Sequence, residues 1–371
     1  MTRRRNQRPT GPVPDEPRLR LREPVDVLAA IPYLVGYHPA ESMVLLGMRG
    51  KQLTFTARLD LPSVEASRQD VRDTVDHMLQ VVLRQRLTGV LIVGFGPDER
   101  VRPLAHALRG VYATAGLDVL EALRAEDGRY WSYLCTDPLC CPEDGSPYDP
   151  EASAVAAEWT VAGRVALPDR EAYEQQLKPV GGIARVSIQQ ATARADDRLT
   201  ELLARPVDEE SAAAAVMTAG HSAIDSALAR LRAGERLSDD DVAWLSVIVS
   251  SLDLRDIAWI RIRGSGDELP LHRTLWMEVL RRAESDLTSA PGCLFAFAAW
   301  RCGEGALARI ALDQVLGDDP DYSMARLLHH ILVHGLPPTA FDNLPMSRVR
   351  RRPARGRRKR SSSRRAGSRR G

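Results

Sequence analysis

The pattern of apolar and polar positions changes its period near residue 150. Before that point, apolar runs of strand length are separated by stretches with helical periodicity. Strands are predicted over 43–48, 53–59, 90–95, 117–123 and 129–134, and helices over 25–30, 67–86 and 97–115. The first of these helices is expected to stop before Pro32. This order predicts a mixed sheet with helices packed on it.

After residue 150 the helical period dominates. Helices are predicted over 151–161, 169–177, 183–203, 208–232, 239–252, 254–263 and 271–282, with three more reaching residue 334. The fold class is therefore an α/β mixed-sheet N-terminal domain followed by an all-α helical domain. Within 291–320 the spacing of Ala296, Ala308 and Pro320 is similar to a tetratricopeptide repeat, and an ordinary hairpin of a helix bundle is the alternative.

Basic and acidic residues are distributed unevenly along the chain. Residues 1–23 hold seven Arg and three acidic residues, and 346–371 hold thirteen Lys or Arg and no acid. The intervening 24–345 hold 31 basic and 46 acidic residues, so this part is acidic although the whole chain carries +2. We expect a disordered basic N-terminus (1–23), a mixed α/β domain (24–175), a helical domain (176–344) and a disordered Arg-rich tail (345–371).

The number of cysteines and the length of the apolar runs limit the possible cellular locations of the protein. Five cysteines in 371 residues do not form a disulfide scaffold. No apolar run approaches the ~20 residues of a membrane span, and no signal peptide is evident. The sequence therefore predicts a cytoplasmic protein that does not associate with a membrane.

The segment 135–142 is rich in groups with metal chemistry. Cys135, Cys140 and Cys141 offer thiolates, and Asp137 lies between them. Zinc is the ion that such a set would take, and no other cofactor is predicted. Structural zinc sites usually space cysteines two to four apart, and adjacent cysteines reach one ion only through a sharp turn. The alternative is that these cysteines are small apolar residues at the end of a strand.

A second candidate loop precedes the first strand. It concentrates residues that often form ligand or catalytic sites, namely Gly36, Tyr37, His38, Glu41 and Ser42. His, Glu and Ser together are able to do acid–base or nucleophilic work, but such groups are normally assembled in space from distant segments. The simpler interpretation, a solvated helix-to-strand connector, is favoured.

The C-terminal tail suits polyanions because Arg pairs with phosphate in a bidentate manner. The residues most suited to this are Arg350, Arg351, Arg352, Arg357, Arg358, Lys359 and Arg360. Aromatic residues for stacking on bases are lacking, so any nucleic-acid binding is expected to be non-specific and salt-sensitive. The alternatives are a purely solubilising tail and a tail that folds back on the acidic body of the same chain.

Three segments carry a family resemblance. They are Pro-Tyr-Leu-Val-Gly-Tyr-His-Pro-Ala-Glu-Ser at 32–42, Trp-Ser-Tyr-Leu-Cys-Thr-Asp-Pro-Leu-Cys-Cys-Pro at 131–142, and 306–322 with its Asp-Pro-Asp-Tyr. Together they resemble the uncharacterised actinobacterial family called domain of unknown function 4192, over about residues 24–340. The resemblance implies the overall architecture and a cytoplasmic setting, and it names no catalytic residue.

Two functions follow as expectations. The leading one is a non-enzymatic binding or regulatory module that meets a protein partner through its helical surface. The alternative is a metal-assisted or cysteine-dependent hydrolase whose site is formed by the 36–42 and 135–142 loops. The alternative requires the two loops to meet at one end of the sheet.

Overall fold

The structure, a computed structural model, describes residues 23–206 and 208–341. The strands of this part are β1 (Ser42–Arg49), β2 (Gln52–Asp60), β3 (Gly89–Phe95), β4 (Asp118–Glu126), β5 (Arg129–Ser132) and β6 (Ser146–Pro147). The helices before residue 180 are α1 (Pro24–Val35), α2 (Arg68–Arg84), α3 (Asp98–Thr114), α4 (Ala154–Val161) and α5 (Arg170–Gln175). The later helices are α6 (Gly182–Ala204), α7 (Glu209–Arg232), α8 (Asp239–Ile248), α9 (Leu252–Gly264), α10 (Leu269–Arg282), α11 (Ser289–Arg301), α12 (Gly305–Asp318) and α13 (Ser323–Val333).

The mixed α/β architecture and the helical second half are confirmed. The six strands form one sheet in the order β2-β1-β3-β4-β5-β6. β1 pairs antiparallel with both β2 and β3, β3 and β4 are parallel, and β4 and β5 form an antiparallel hairpin. Helix α3 makes the crossover between the two parallel strands, as parallel pairing requires. The short strand β6 was not predicted from the sequence.

Alternation along β1 sends its side chains into two separate apolar layers. Met43 and Leu45 face α2 and α3, where they join a cluster that includes Leu104 and Tyr112. Val44 and Leu46 face the opposite side and join a larger cluster shared with α1 and with helices from α5 to α13. Both faces of the sheet are therefore covered, which explains the continuous apolar run of this strand.

Helix α11 is the centre of the helical half. Almost every residue from Ala290 to Trp300 is buried, so this helix is apolar on all sides. Its neighbour α12 approaches closely because Gly292 has no side chain: a Cβ there would lie 2.5 Å from Val315. α11 and α12 form a helical hairpin that α13 extends, while repeat character in this region remains a prediction.

The two largest differences from the predicted boundaries are in α1 and α8. Helix α1 does not stop before Pro32 but continues to Val35, with Pro32 inside it. Proline removes one backbone donor, and this helix tolerates the loss in its last turn, which Gly36 closes by donating its N–H to the Pro32 carbonyl at 2.8 Å. The helix predicted over 239–252 ends instead at Ile248, and α9 begins at Leu252.

The last helix returns to the sheet layer and packs on α2. Arg84 Nη1 donates to the His334 carbonyl at 2.9 Å, and Gln85 Nε2 donates to the Gly335 carbonyl. A Cβ on Gly335 would lie 2.5 Å from Val81, so glycine is required at this contact. The sheet and the helices thus share one apolar cluster, and the domain boundary at 175/176 remains a prediction.

Within the described ranges no helix combines the length and the apolar character that a membrane crossing needs. The tail residues proposed for nucleic-acid binding, Arg350 to Arg360, lie outside the described residues.

Candidate functional site

The loop 36–42 is built around Gly36, whose backbone conformation and close neighbour disfavour a side chain. Gly36 has φ +98°, and a Cβ there would lie 2.5 Å from the Tyr173 ring. The loop is held by a backbone bridge: His38 N–H donates to the Leu167 carbonyl at 3.0 Å, and Leu167 N–H donates to Gly36 at 2.9 Å. Tyr37 is buried, with its ring 5.3 Å from that of Tyr173, and this burial raises its pKa.

The polar groups at the end of this loop are occupied by other parts of the protein. Ser42 is fully buried, and its hydroxyl donates to the Ala40 carbonyl at 2.5 Å and accepts from Arg58 Nε at 2.9 Å. Glu41 adopts φ +47° and forms an ion pair with Arg100. The Ser42 hydroxyl is therefore committed to fixing the start of β1 and does not face a pocket as a nucleophile must.

The segment 133–145 leaves the sheet after β5 and returns at β6, and Asp137 forms its turn. The backbone N–H groups of Cys140 and Cys141 donate to the Asp137 carbonyl at 3.1 and 2.8 Å, while the Asp137 carboxylate accepts from Leu139 N–H at 2.9 Å. This double turn brings the two adjacent cysteines back towards Cys135. Asp137 is therefore an organiser of the loop.

The three thiols form one cluster. Cys135, Cys140 and Cys141 are all free, and their Sγ atoms lie within 4.8 Å of one another. The Asp137 backbone N–H donates to Cys135 Sγ and is the main cause of the lowered pKa of that thiol. Desolvation, followed by the neighbouring thiols, raises the pKa of Cys141 to about 12. Cys140 is exposed, so the cluster is open to solvent.

Both ends of the thiol loop, defined here as residues 133–145, are fastened to the sheet. At its start, Ser132 Oγ accepts from Cys135 N–H at 3.0 Å and donates to Glu121 Oε1 at 2.8 Å. At its end, Trp131 Nε1 donates to the Glu143 carbonyl at 2.9 Å. These anchoring residues were not predicted from the sequence, although a Trp and a Ser beside a cysteine-rich turn were a usable signal.

The order of the strands keeps the two candidate loops apart across the width of the sheet. β3 and β4 run together, and β1 and β5 run against them, so β1 and β5 point the same way. The loop 36–42 lies before β1 and the thiol loop lies after β5. β1 and β5 are also three strand spacings apart, about 14 Å. Ser132, where the thiol loop leaves the sheet, is level with Val44 through the pairings of β3 and β4, so the loops are separated across the sheet and not along it. A site formed by both loops remains a prediction.

An open cavity of about 780 Å³ lies beside the start of the thiol loop. It is bordered by the C-terminal half of α3, the first residues of β4, and Leu134. Its polar lining comes from His106, Arg109 and Asp118, and Arg109 also donates to the Tyr133 carbonyl at 3.1 Å. These cavity residues were not among those predicted from the sequence.

Comparisons with known proteins identify a family but supply no activity. No curated protein and no solved structure matches the chain. One family model, described as a domain of unknown function (DUF4192), matches residues 24–339, which include the sheet, the thiol loop and the helical region. The chain therefore belongs to the DUF4192 family.

Proposed function

We propose that this protein acts by binding, as a non-enzymatic regulatory module, and not by catalysis. The observation that carries the proposal is the separation of the two polar loops across the sheet, by three strand spacings or about 14 Å. A hydrolase assembled from both needs its groups within hydrogen-bond reach of one substrate. The occupied hydroxyl of Ser42 and the ion-paired carboxylate of Glu41 add to this argument.

The helical region is the proposed protein-binding surface. Ile183 and Val186, one turn apart at the start of α6, are 90% and 53% exposed. Apolar side chains at i and i+3 lie on one face of a helix, and such a face suits contact with a partner. The partner class that this supports is another protein that presents an apolar helix or groove.

An activity screen tests the non-enzymatic part. Wild-type protein, with and without added Zn²⁺, is assayed on ester, phosphoester, amide and peptide substrates beside Ser42→Ala and Cys135→Ser. We expect no turnover above the blank in any of them. Turnover by the wild type that either variant abolishes would establish an enzyme and overturn the proposal.

A binding experiment tests the surface. Tagged wild type, Ile183→Asp/Val186→Asp and the control Val64→Asp are used to recover partners from cells that express the protein natively. Val64 is also highly exposed but follows β2, outside the helical region. A partner lost in the double variant and retained in the control supports the proposal. Equal recovery by all three contradicts the assignment of this surface.

The Arg-rich C-terminus is proposed as a second, electrostatic binding element for nucleic acid. Thirteen Lys or Arg and no acid in 346–371 favour a polyanion, and the acidic 24–345 competes for the same charges. Full-length protein should bind mixed-sequence DNA and RNA weakly, with an affinity that falls steeply as salt rises. A truncation after Leu344 should lose this binding. Equal binding by both proteins excludes the tail as the cause.

A further inference from the structure

We infer that Cys135, Cys140 and Cys141 bind one thiophilic d¹⁰ metal ion, of which Zn²⁺ is the reference case. The inference goes beyond the proposed partner binding and does not depend on it. It rests on three free thiols whose sulfur atoms already lie within 4.8 Å of one another. Among the described residues, this is the one group of three or more Cys, His, Asp or Glu with such a geometry.

The distances fit a thiolate site with little rearrangement. In a tetrahedral zinc site with Zn–S bonds of ~2.3 Å, the sulfur atoms lie about 3.8 Å apart. The observed upper limit of 4.8 Å therefore requires each pair of sulfurs to close by no more than about 1 Å. Small rotations about χ1 of the three cysteines are enough for changes of that size.

The backbone turn at Asp137 allows two adjacent cysteines to reach one ion. Neighbouring side chains on an extended chain point apart, so two adjacent thiols normally do not share an ion. Here the N–H groups of both Cys140 and Cys141 converge on one carbonyl, that of Asp137, and this tight turn redirects both side chains. The chain thus provides the sharp turn that the unusual spacing requires.

One of the three sulfurs also accepts a backbone hydrogen bond. The backbone N–H of Asp137 donates to Cys135 Sγ, and such a bond stabilises a negatively charged sulfur. Metal binding releases the protons of the thiols, and the bound cation compensates the charge of the resulting thiolates.

The site is open at its fourth position. The described residues add no fourth Cys, His or carboxylate to the group, so solvent or an external ligand completes the coordination. Leu139, between the ligands, is 95% exposed, and nothing in the described part of the chain covers the turn. The ion is therefore expected to exchange with small thiol chelators, unlike an ion enclosed by four protein ligands.

The test uses full-length protein prepared with a tag that carries no histidines and kept reduced with a phosphine. Bound metal is counted by mass spectrometry and by competition with a chromophoric chelator, and Co²⁺ substitution reports thiolate coordination. Wild type is compared with Cys135→Ser/Cys140→Ser/Cys141→Ser and with the control Cys302→Ser. Cys302 is a free, half-buried thiol at the end of α11 and lies outside the cluster.

One Zn²⁺ per chain is expected in wild type and in Cys302→Ser, and none in the triple variant with its circular dichroism unchanged. Asp137→Ala keeps the three thiols but loses the carboxylate that bonds Leu139, so its affinity should fall about tenfold, in the range seen for residues behind metal ligands. X-ray absorption should show three sulfurs and one lighter atom.

Equal metal content in wild type and the triple variant overturns the inference, and two sulfurs per zinc overturn the assignment of all three cysteines. Ile183→Asp/Val186→Asp should keep its metal. A failure of partner binding is thereby distinguished from a failure of the metal site.

Discussion

The guanidinium of Arg124 lies 3.6 Å from the centroid of the Trp131 ring, so a charge on an aromatic face joins β4 to β5. Arg124 is only 8% exposed and also pairs with Glu126 at 2.5 Å. Trp131 in turn holds the end of the thiol loop through the Glu143 carbonyl and covers Gly145. The stability of the thiol loop therefore depends on this pair.

Replacing Trp131 with leucine should loosen the thiol loop. The variant loses the contact with Arg124 and the indole hydrogen bond, which together are worth about 2 kcal/mol. Urea unfolding measures the loss of stability, and hydrogen exchange of residues 133–145 measures the loosening. Trp159→Leu is the control, because Trp159 stacks on Tyr33 in another part of the fold. If both variants affect exchange of the thiol loop equally, the role of Trp131 is refuted.

Gly36→Ala should destabilise the protein more than an ordinary glycine replacement. Its positive φ costs an alanine roughly 1–2 kcal/mol, and the new Cβ also meets the Tyr173 ring at 2.5 Å. Gly50→Ala is the control, because Gly50 has φ +60° but nothing within 4 Å of the added atom. Chemical unfolding should show a larger loss for Gly36→Ala. Equal losses would mean that the contact with Tyr173 relaxes without cost.

The elements of this fold were predictable because their signals are local. The apolar run of β1, the hairpin turn at Gly50 and the capping serine of α2 are each visible in a few neighbouring residues. The continuation of α1 through Pro32 was not predictable, because it depends on burial against distant helices.

The candidate site was predictable in composition but not in arrangement. The three cysteines were identified from their residue type, whereas their convergence depends on hydrogen bonds to the Asp137 carbonyl, which no spacing rule contains. The separation of the two loops follows from the order of the strands, which becomes known only when the pairing of β1, β3, β4 and β5 is known.

His272 should make the protein sensitive to mild acid. It is 3% exposed, its Nδ1 has no hydrogen-bond partner among the described residues, and burial lowers its pKa to about 4. The unfolded chain binds a proton near pH 6.5 and the folded protein does not, so stability is full above pH 6.5 and falls as the pH drops towards 4. Between pH 7.5 and 5.0 this group should cost roughly 2 kcal/mol.

The measurement is the urea midpoint at the two pH values. His272→Leu should lose less stability on acidification than wild type, since it has no imidazole to protonate. His106→Gln, which removes an exposed histidine, should behave like wild type. Identical acid sensitivity in all three proteins would assign the effect to other groups.

Acid should also open the contact between α2 and α13, where three histidines meet. The ring centroids of His330 and His334 are 4.1 Å apart, and those of His77 and His334 are 6.0 Å apart. Desolvation is the main cause of the lowered pKa of His334, and electrostatic interactions with His330, Arg84 and His77 lower it further. None of the side chains that shift the pKa of His334 is acidic.

The lowered pKa of His334 determines how the contact between α2 and α13 responds to pH. A histidine whose pKa is lowered by folding stabilises the contact while neutral, and the contact weakens as the pH falls below about 6.5, the value of an unperturbed imidazole. Hydrogen exchange of α13, corrected for intrinsic rates and compared with α12, should rise between pH 7.5 and 5.5. His77→Gln removes one of the charges and should reduce this rise, whereas His38→Gln, in the loop before β1, should not. Exchange of α13 that is independent of pH, or a rise unchanged in His77→Gln, would show that these imidazoles do not control the contact.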